Sequence, residues 1–243
     1  MINNLKLFSF LIIIILFSSC RNNDRYYETK AIEELDDLAE VIGELSSCSY
    51  TLKTLSKHIN KEEESDWNEN THDVYMRGPD RFYIYTIGTK GQKSFWYNGR
   101  RFSYYLYDRN VFDTIKAEGN IVEVIDDLHK KYNIYFPAAD FFYPTLTDDI
   151  IDFYDEVISL ESQTINKKEY AIIQAVNKEK ILTIWIDETS KLPYKFIIEP
   201  QTDQGQYYEA EFSNWKLNPK LYDILFEYQP SKDSKREPLK LKQ

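Results

Sequence analysis

Short runs of aromatic and β-branched residues dominate the stretch from residue 76 to residue 115, separated by Gly, Pro, Asn and Asp. Consecutive antiparallel strands appear in this way in a sequence. Asn98-Gly99 is the sharpest turn signal, because both central positions of a type I′ turn require φ > 0. The alternation predicts one apolar face that other elements must cover, formed by Phe82, Ile84, Phe102, Tyr104 and Leu106.

Three segments carry helical signals. Apolar residues at helical spacing predict an amphipathic helix over residues 31–45, with Thr29 as its N-cap. Asn120 and Glu123 have the form of a capping box and predict a second helix that ends near Tyr132. Thr147 and the two aspartates after it predict a third helix over residues 147–157. The prolines of the apolar connector at residues 136–144 exclude a regular helix there.

A period of two predicts further strands before and after these helices. They cover residues 49–59, 169–176, 181–186, 194–199, 206–215 and 225–228, and residues 61–70 are predicted to form a hydrophilic loop. No internal repeat or linker divides the chain. The pattern therefore predicts an α+β domain over residues 31–230, followed by a basic tail at residues 231–243.

The first residues resemble an export signal. Lys6 precedes an apolar run that is too short for a comfortable transmembrane helix, and Ser18 and Ser19 lead into Cys20. This arrangement resembles a bacterial lipobox, which predicts a lipoprotein signal peptide at residues 1–19, lipidation of Cys20 and a lipidated tether at residues 20–30. An ordinary secretory signal with an incidental cysteine is the alternative.

The aromatic content and the net charge indicate which kinds of partner the protein can bind. Aromatic residues make up 16 % of the chain, which suits a sheet protein or an aromatic-lined pocket. The net charge of −10 would repel nucleic acid and anionic membrane surfaces. We therefore expect no nucleic acid as a partner.

Residues suited to catalysis do not form a recognisable site. The three histidines (His58, His72 and His129) are not spaced i, i+3 or i, i+4, and the Gly-x-Ser-x-Gly and phosphate-loop motifs are absent. Cys48 has no positioned histidine and is most simply a buried hydrophobe. Adjacent carboxylates leave glycosidase-type chemistry open, although helix-terminus stabilisation explains Asp148-Asp149. The sequence predicts no enzyme, no metal and no cofactor.

The order of elements, together with the lipobox, resembles the LolA/LolB superfamily of periplasmic lipoprotein carriers and acceptors. It is more closely similar to a family of predicted periplasmic proteins that carry domain of unknown function 2092. The stretches that carry this resemblance follow in order over residues 31–230 and are Arg77-Gly-Pro-Asp-Arg81, Trp96-Tyr-Asn-Gly99, Asn110-Val-Phe-Asp113, Tyr132-Asn-Ile-Tyr-Phe-Pro-Ala-Ala-Asp140, Leu192-Pro-Tyr-Lys195 and Phe212-Ser-Asn-Trp215.

The resemblance implies an antiparallel half-open β-barrel, a curved sheet of about ten or eleven strands whose apolar concave face is covered by helices. It also implies an apolar cavity that binds acyl chains of lipids or lipoproteins. The residues predicted to line it are Phe82, Ile84, Phe95, Tyr97, Phe102, Tyr104, Leu106 and Phe196, and the predicted lid residues are Ile125, Leu128, Phe141, Phe142 and Phe153. The same residues could instead form a solidly packed core.

The expected function follows from the cavity and the anchor together. It is that of a lipid-anchored, non-catalytic carrier, acceptor or local handler that faces the periplasm, with the inner leaflet of the outer membrane preferred over the inner membrane. Arg21-Asn-Asn-Asp24 lacks the acidic run that resembles a surface-export signal. The alternative is an envelope-stress sensor or protein-interaction scaffold, which would use the same half-barrel to bind an envelope protein partner without lipid transport.

Overall fold

One curved sheet with helices on its concave face forms the computed structural model, which describes residues 25–60, 66–202 and 204–242. The α-helices are α1 (Thr29–Gly43), α2 (Ile121–Tyr132) and α3 (Leu146–Phe153), and 3-10 helices span Ala139–Phe142 and Asp223–Phe226. The strands are β1 (Tyr26–Tyr27), β2 (Ser47–Asn60), β3 (Asn68–Arg77), β4 (Arg81–Gly88), β5 (Gly91–Tyr97), β6 (Arg101–Leu106), β7 (Val111–Lys116), β8 (Glu156–Ile165), β9 (Lys168–Val176), β10 (Lys180–Asp187), β11 (Pro193–Pro200), β12 (Gln204–Leu217) and β13 (Lys235–Arg236).

The sheet remains open. Its order is β1-β8-β9-β10-β11-β12-β2-β3-β4-β5-β6-β7-β13, so the strands nearest the two ends of the described chain lie at opposite edges. Both edge strands have two residues and pair in parallel, whereas the pairs between them are antiparallel. This confirms the predicted curved antiparallel sheet, with thirteen strands against the ten or eleven expected.

The predicted alternation of buried and more exposed side chains is observed along the strands of the sheet. Phe82 and Ile84 on β4 are 1 % and 5 % exposed, and Phe102 on β6 is fully buried. They belong to the same core as Leu35 and Leu38 of α1, which are also fully buried. The apolar stripe of the helix thus closes over the apolar face of the sheet, and burial of this surface is the main stabilising contribution.

The two long helices begin differently. Asn120 caps α2 through the predicted capping box: its Oδ1 accepts from the Glu123 N–H at 3.0 Å, and Glu123 Oε2 accepts from the Asn120 N–H at 2.8 Å. The prediction of Thr29 as the N-cap of α1 is wrong, because Glu28 occupies that position. Glu28 still pairs with β8, its N–H donating to Val157 O at 2.9 Å, and the helix begins directly after it.

The predicted third helix is too long at its C-terminal end. It ends at Phe153, and β8 begins three residues later at Glu156. Val157 lies in this strand, fully buried and paired with Ala175 of β9. Pairing within the sheet therefore overrides the helical continuation, and the strand that it creates was not predicted.

The prediction of a strand at residues 225–228 is also wrong. Asp223–Phe226 form a 3-10 helix, in which Asp223 contacts Arg77 and Arg81 and Phe226 is 1 % exposed. Tyr228 then packs on Trp96, their ring centroids 4.8 Å apart. Contacts with side chains of the sheet replace backbone pairing in this segment.

The turn after β5 differs from the predicted type I′ turn. Gly99 has φ of 84°, while Asn98 lies outside the left-handed region. The Asn98 side chain instead accepts from the backbone N–H groups of Arg100 and Arg101 at 3.1 and 2.9 Å. A single residue with positive φ therefore suffices for this turn.

Candidate functional site

One end of the half-barrel is filled by aromatic rings. Phe136, from the connector after α2, inserts between three residues of the concave face. Its ring centroid lies 5.3 Å from that of Phe82, 5.6 Å from that of Phe95 and 6.3 Å from that of Phe102. Tyr97 closes the same region, and its hydroxyl donates to Gly119 O at 2.6 Å. We call these five residues (Phe82, Phe95, Tyr97, Phe102 and Phe136) the aromatic cluster.

The other end of the concave face is hollow. A cavity of about 1010 Å³ lies there, and we call it the barrel cavity. Its apolar lining comes from the connector after α2 and from β11 and β12, and includes Phe136, Pro137, Ala138, Phe196, Ile198, Pro200 and Tyr208. Its polar lining comes mainly from β2, β3 and β12, with Thr54, Ser56, Asn68, Asn70, His72 and Gln206, and its charged lining is Lys93, Asp140, Glu179 and Lys180. Apolar and polar groups thus face the same space.

His72 is the most buried polar residue of this lining, with 5 % of its surface exposed. Its Nε2 lies 3.2 Å from Thr54 Oγ1 and its Nδ1 lies 2.8 Å from Thr86 Oγ1. Burial, assisted by the nearby Lys93 ammonium, lowers the pKa of His72 to about 4. His72 is therefore neutral near pH 7, with both ring nitrogens engaged.

The lysines that line the barrel cavity differ in their surroundings. Lys93 is half-buried with its Nζ 5.5 Å from the ring centroid of Phe95, and burial lowers its pKa. Lys180 lies on the rim with its Nζ 4.2 Å from the ring centroid of Phe153. Burial raises the pKa of Asp140 and the positive charge of Lys180 opposes this rise, so the rim lysine has a carboxylate nearby.

A smaller crevice of about 550 Å³ lies between α1, α2 and the connector. Its lining is mostly apolar and includes Ile42, Leu45, Cys48, Met76, Ile121, Phe141 and Phe142. Cys48 is buried within it, and burial raises the pKa of its thiol to about 12. This thiol is therefore unsuited to act as a nucleophile.

The predicted ligand-binding residues lie in several different places. Six lining residues and two lid residues are buried in the packed core, namely Phe82, Ile84, Phe95, Tyr97, Phe102, Tyr104, Ile125 and Leu128. Leu106 packs against the core from a partly buried position. Phe196 lines the barrel cavity, Phe141 and Phe142 line the crevice, and Phe153 is 49 % exposed. Cys20 lies outside the described residues.

The polar lining was not predicted, although the spacing of its residues along the strands indicates the face on which they lie. His72 is two residues from Val74, Thr86 is two from Ile84, and Lys93 is two from Phe95. Each therefore lies on the same face as a buried apolar residue of its own strand. Polar residues in phase with a predicted apolar face are the signal that would have indicated the cavity.

Two kinds of feature are absent from the described residues. No helix of the described residues is both long enough and apolar enough to cross a membrane. The described residues also contain no group of three or more His, Cys, Asp or Glu side chains arranged to hold a metal ion.

Several solved structures are similar to this chain at low sequence identity. An uncharacterized conserved protein from Thermus thermophilus is 11 % identical with a TM-score of 0.52, over 86 % of this chain and 98 % of that one. The LolA superfamily protein NE2245 from Nitrosomonas europaea is 13 % identical with a TM-score of 0.38, over 82 % and 97 % of the two chains. A chain of the Pseudomonas aeruginosa MucA/MucB complex is 11 % identical with a TM-score of 0.44, over 82 % and 61 %.

A protein-family model also matches most of this chain. No curated protein matches this chain. A family model, however, described as "Predicted periplasmic protein (DUF2092)", matches residues 31–237, which is all of the predicted domain and part of the tail. The chain therefore belongs to the DUF2092 family of predicted periplasmic proteins.

Proposed function

We propose that this protein is a membrane-anchored periplasmic lipoprotein that binds the acyl chains of lipids or lipoproteins in the barrel cavity. The observation that carries the proposal is a hollow of about 1010 Å³ on the concave face, with an apolar wall and a polar floor. Pockets that hold small ligands enclose roughly 300–1000 Å³. The barrel cavity has the capacity for an acyl chain and the mixed lining that an amphipathic ligand requires.

The apolar wall supplies the main attraction in this proposal. Phe196 is 4 % exposed, and Ile198 and Tyr208 continue its face along β11 and β12. Each methylene that moves from water to such a wall contributes about 0.8 kcal/mol before the losses of ligand freedom are subtracted. A chain of ten or more carbons would therefore bind measurably even if only part of it were buried.

The environment of the polar side chains favours binding over catalysis. Both ring nitrogens of His72 are engaged by threonine hydroxyls, and the depressed pKa of His72 keeps it neutral near pH 7. The buried thiol of Cys48 stays protonated because its pKa is about 12. Neither group is prepared to act as a base or nucleophile, so we propose a non-catalytic protein.

Acylation of Cys20 would define where the protein acts. Several acyl chains at one residue make a firm membrane anchor, which suits an acceptor or local handler better than a soluble shuttle. We propose that the anchor holds the protein on the inner leaflet of the outer membrane, facing the periplasm. Globomycin treatment, which blocks the lipoprotein signal peptidase, should then cause an unprocessed precursor to accumulate, whereas unchanged processing would indicate an ordinary secretory signal.

The binding proposal is tested by native mass spectrometry and lipid extraction. The mature chain with Cys20→Ser, exported by an ordinary secretory signal and purified without detergent, should carry acyl lipid or take up added hexadecanoic acid. Ile198→Glu should abolish this, because it places a carboxylate in the apolar wall. Ile197→Glu is the matched control, since Ile197 is the adjacent residue of β11 on the opposite face.

The outcomes separate the two candidate functions. Lipid bound to the parent and to Ile197→Glu, but not to Ile198→Glu, supports the proposal. A parent that carries no lipid and takes up no fatty acid contradicts it. The half-barrel would then be interpreted as an envelope-stress sensor or protein-interaction scaffold, and crosslinking in the periplasm would identify its partner.

A further inference from the structure

Lys93 occupies an unusual position for a lysine. It extends from β5 onto the concave face, in register with Thr86 of β4, which in turn pairs with His72 of β3. Its Nζ lies 5.5 Å from the ring centroid of Phe95, a residue with 7 % of its surface exposed. The ammonium group therefore lies against the edge of the aromatic cluster, where the barrel cavity begins, rather than in open solvent.

The charges that act directly on Lys93 do not balance its own, although Asp140 and Glu179 line the same cavity. Within the described chain no carboxylate pairs with it, and the charged neighbour that acts on it is another lysine, Lys90. His72, which lies close enough to be affected by Lys93, is neutral near pH 7. Lys180 on the opposite rim, in contrast, has Asp140 nearby. A half-buried ammonium without a counter-ion is costly, so a bound anion would relieve this cost.

We propose that Lys93 binds the anionic head group, a carboxylate or a phosphate, of an acyl ligand whose chain lies along Phe196, Ile198 and Tyr208. This inference rests on the proposed function and specifies its ligand class. The ammonium group is a compact donor that suits either anion, and the adjacent apolar wall accepts the hydrocarbon chain. The same cavity thus joins a cationic end to an apolar wall, as an amphipathic anion requires.

The test uses three ligands with the same chain and different head groups: decanoic acid, decyl phosphate and decanol. Isothermal titration of the mature chain with Cys20→Ser measures each dissociation constant. We expect at least one of the two anions to bind about tenfold to a hundredfold more tightly than decanol, as for other hydrogen bonds to charged groups. The stronger of the two anions identifies the head group as a carboxylate or a phosphate.

Three variants test whether Lys93 causes the preference for an anionic head group. Lys93→Met should reduce the affinity for the preferred anion to that of decanol and leave decanol unchanged. Lys90→Met removes the same charge from an exposed position near the turn between β4 and β5, and should keep the preference. Lys93→Arg should retain most of it, because it keeps the positive charge.

Failure of this inference differs from failure of the proposed function. Equal binding of decanol and both anions to the parent overturns the role of Lys93 but leaves acyl binding intact. A preference that survives in Lys93→Met does the same. Absence of binding for all three ligands overturns both. The parent comparison requires no variant, so it can still overturn the inference if Lys93→Met does not fold.

Discussion

The two ends of the concave face lie on the same strands but differ in how their side chains are packed. At one end, the inward positions on β3, β4 and β5 are Val74, Ile84 and Phe95. At the other end, two residues away on each strand, they are His72, Thr86 and Lys93. The first set belongs to the same buried core as the covering helices and Phe136. The second set is polar or charged and lies beside the barrel cavity of about 1010 Å³, and a hydrogen bond joins His72 to Thr86.

This difference separates positions that stabilise the fold from positions that we propose bind a ligand. Interlocked aromatic rings with almost no exposed surface form a rigid core whose loss the fold cannot tolerate. The polar end buries less apolar surface and leaves space, so it contributes less to folding and can accept a ligand. On β3 and β5, a step of two residues along the strand changes a core position into a cavity position.

The largest effect is expected in the aromatic cluster. Phe102→Ala removes a ring with no exposed surface from contact with Phe82, Phe95 and Phe136, and should lower the free energy of unfolding by about 3–5 kcal/mol. Urea denaturation followed by circular dichroism measures it. A loss below about 1 kcal/mol would mean that this end of the barrel is loosely packed and differs little from the cavity end.

An intermediate effect is expected at His72, through pH. Its pKa is about 4 in the folded protein and about 6.5 when unfolded, so the unfolded chain binds the proton more tightly. The resulting contribution to stability is complete above pH 6.5 and is lost as pH falls towards 4, by about 3 kcal/mol in total. Denaturation of the parent and His72→Gln across this range isolates the histidine from the carboxylates. Parallel pH profiles would contradict the buried, neutral histidine.

The smallest effect is expected at the cavity wall. Ile198→Ala should cost about 1 kcal/mol, since the cost of a truncation grows with the void that it leaves and this side chain already faces empty space. The same denaturation measurement checks it, together with hexadecanoic acid binding, which should weaken. A loss as large as that of Phe102→Ala would show that Ile198 belongs to the core and that the two ends are alike.

Much of the fold follows from local patterns in the sequence. Alternation on β4 and β6, the apolar stripe of α1 and the reciprocal hydrogen bonds of Asn120 and Glu123 all involve residues close together in the chain. Predictions from local signals are correct where the tertiary structure favours the same local conformation. The match to the DUF2092 family over residues 31–237 confirms the resemblance that their order indicated.

Errors occur where distant residues determine the structure. Val157 continues a helical pattern in sequence, yet pairing with Ala175 places it in a strand. The segment at residues 225–228 has strand composition, but Arg77 and Arg81 hold Asp223 and the segment packs on side chains instead. Neither partner can be identified from the sequence near the element.

The candidate site was harder to predict than the fold. Large apolar residues are predicted to line the cavity, but size and hydrophobicity describe core residues equally well, and Phe82 and Phe102 are buried in the aromatic cluster. Which part of the barrel stays hollow depends on where Phe136 inserts, which the sequence does not show. Polar residues in phase with the apolar face, such as His72, were the more informative pattern.

The most direct test of the division into a packed end and a binding end is a crystal structure of the mature chain with a fatty acid brominated at its terminal carbon. Anomalous scattering from bromine locates the end of the chain without reference to the protein atoms. We expect the bromine peak inside the barrel cavity, within van der Waals distance of Phe196, Ile198 or Tyr208. A peak in the crevice between α1 and α2, or an ordered protein with no peak, would contradict the account.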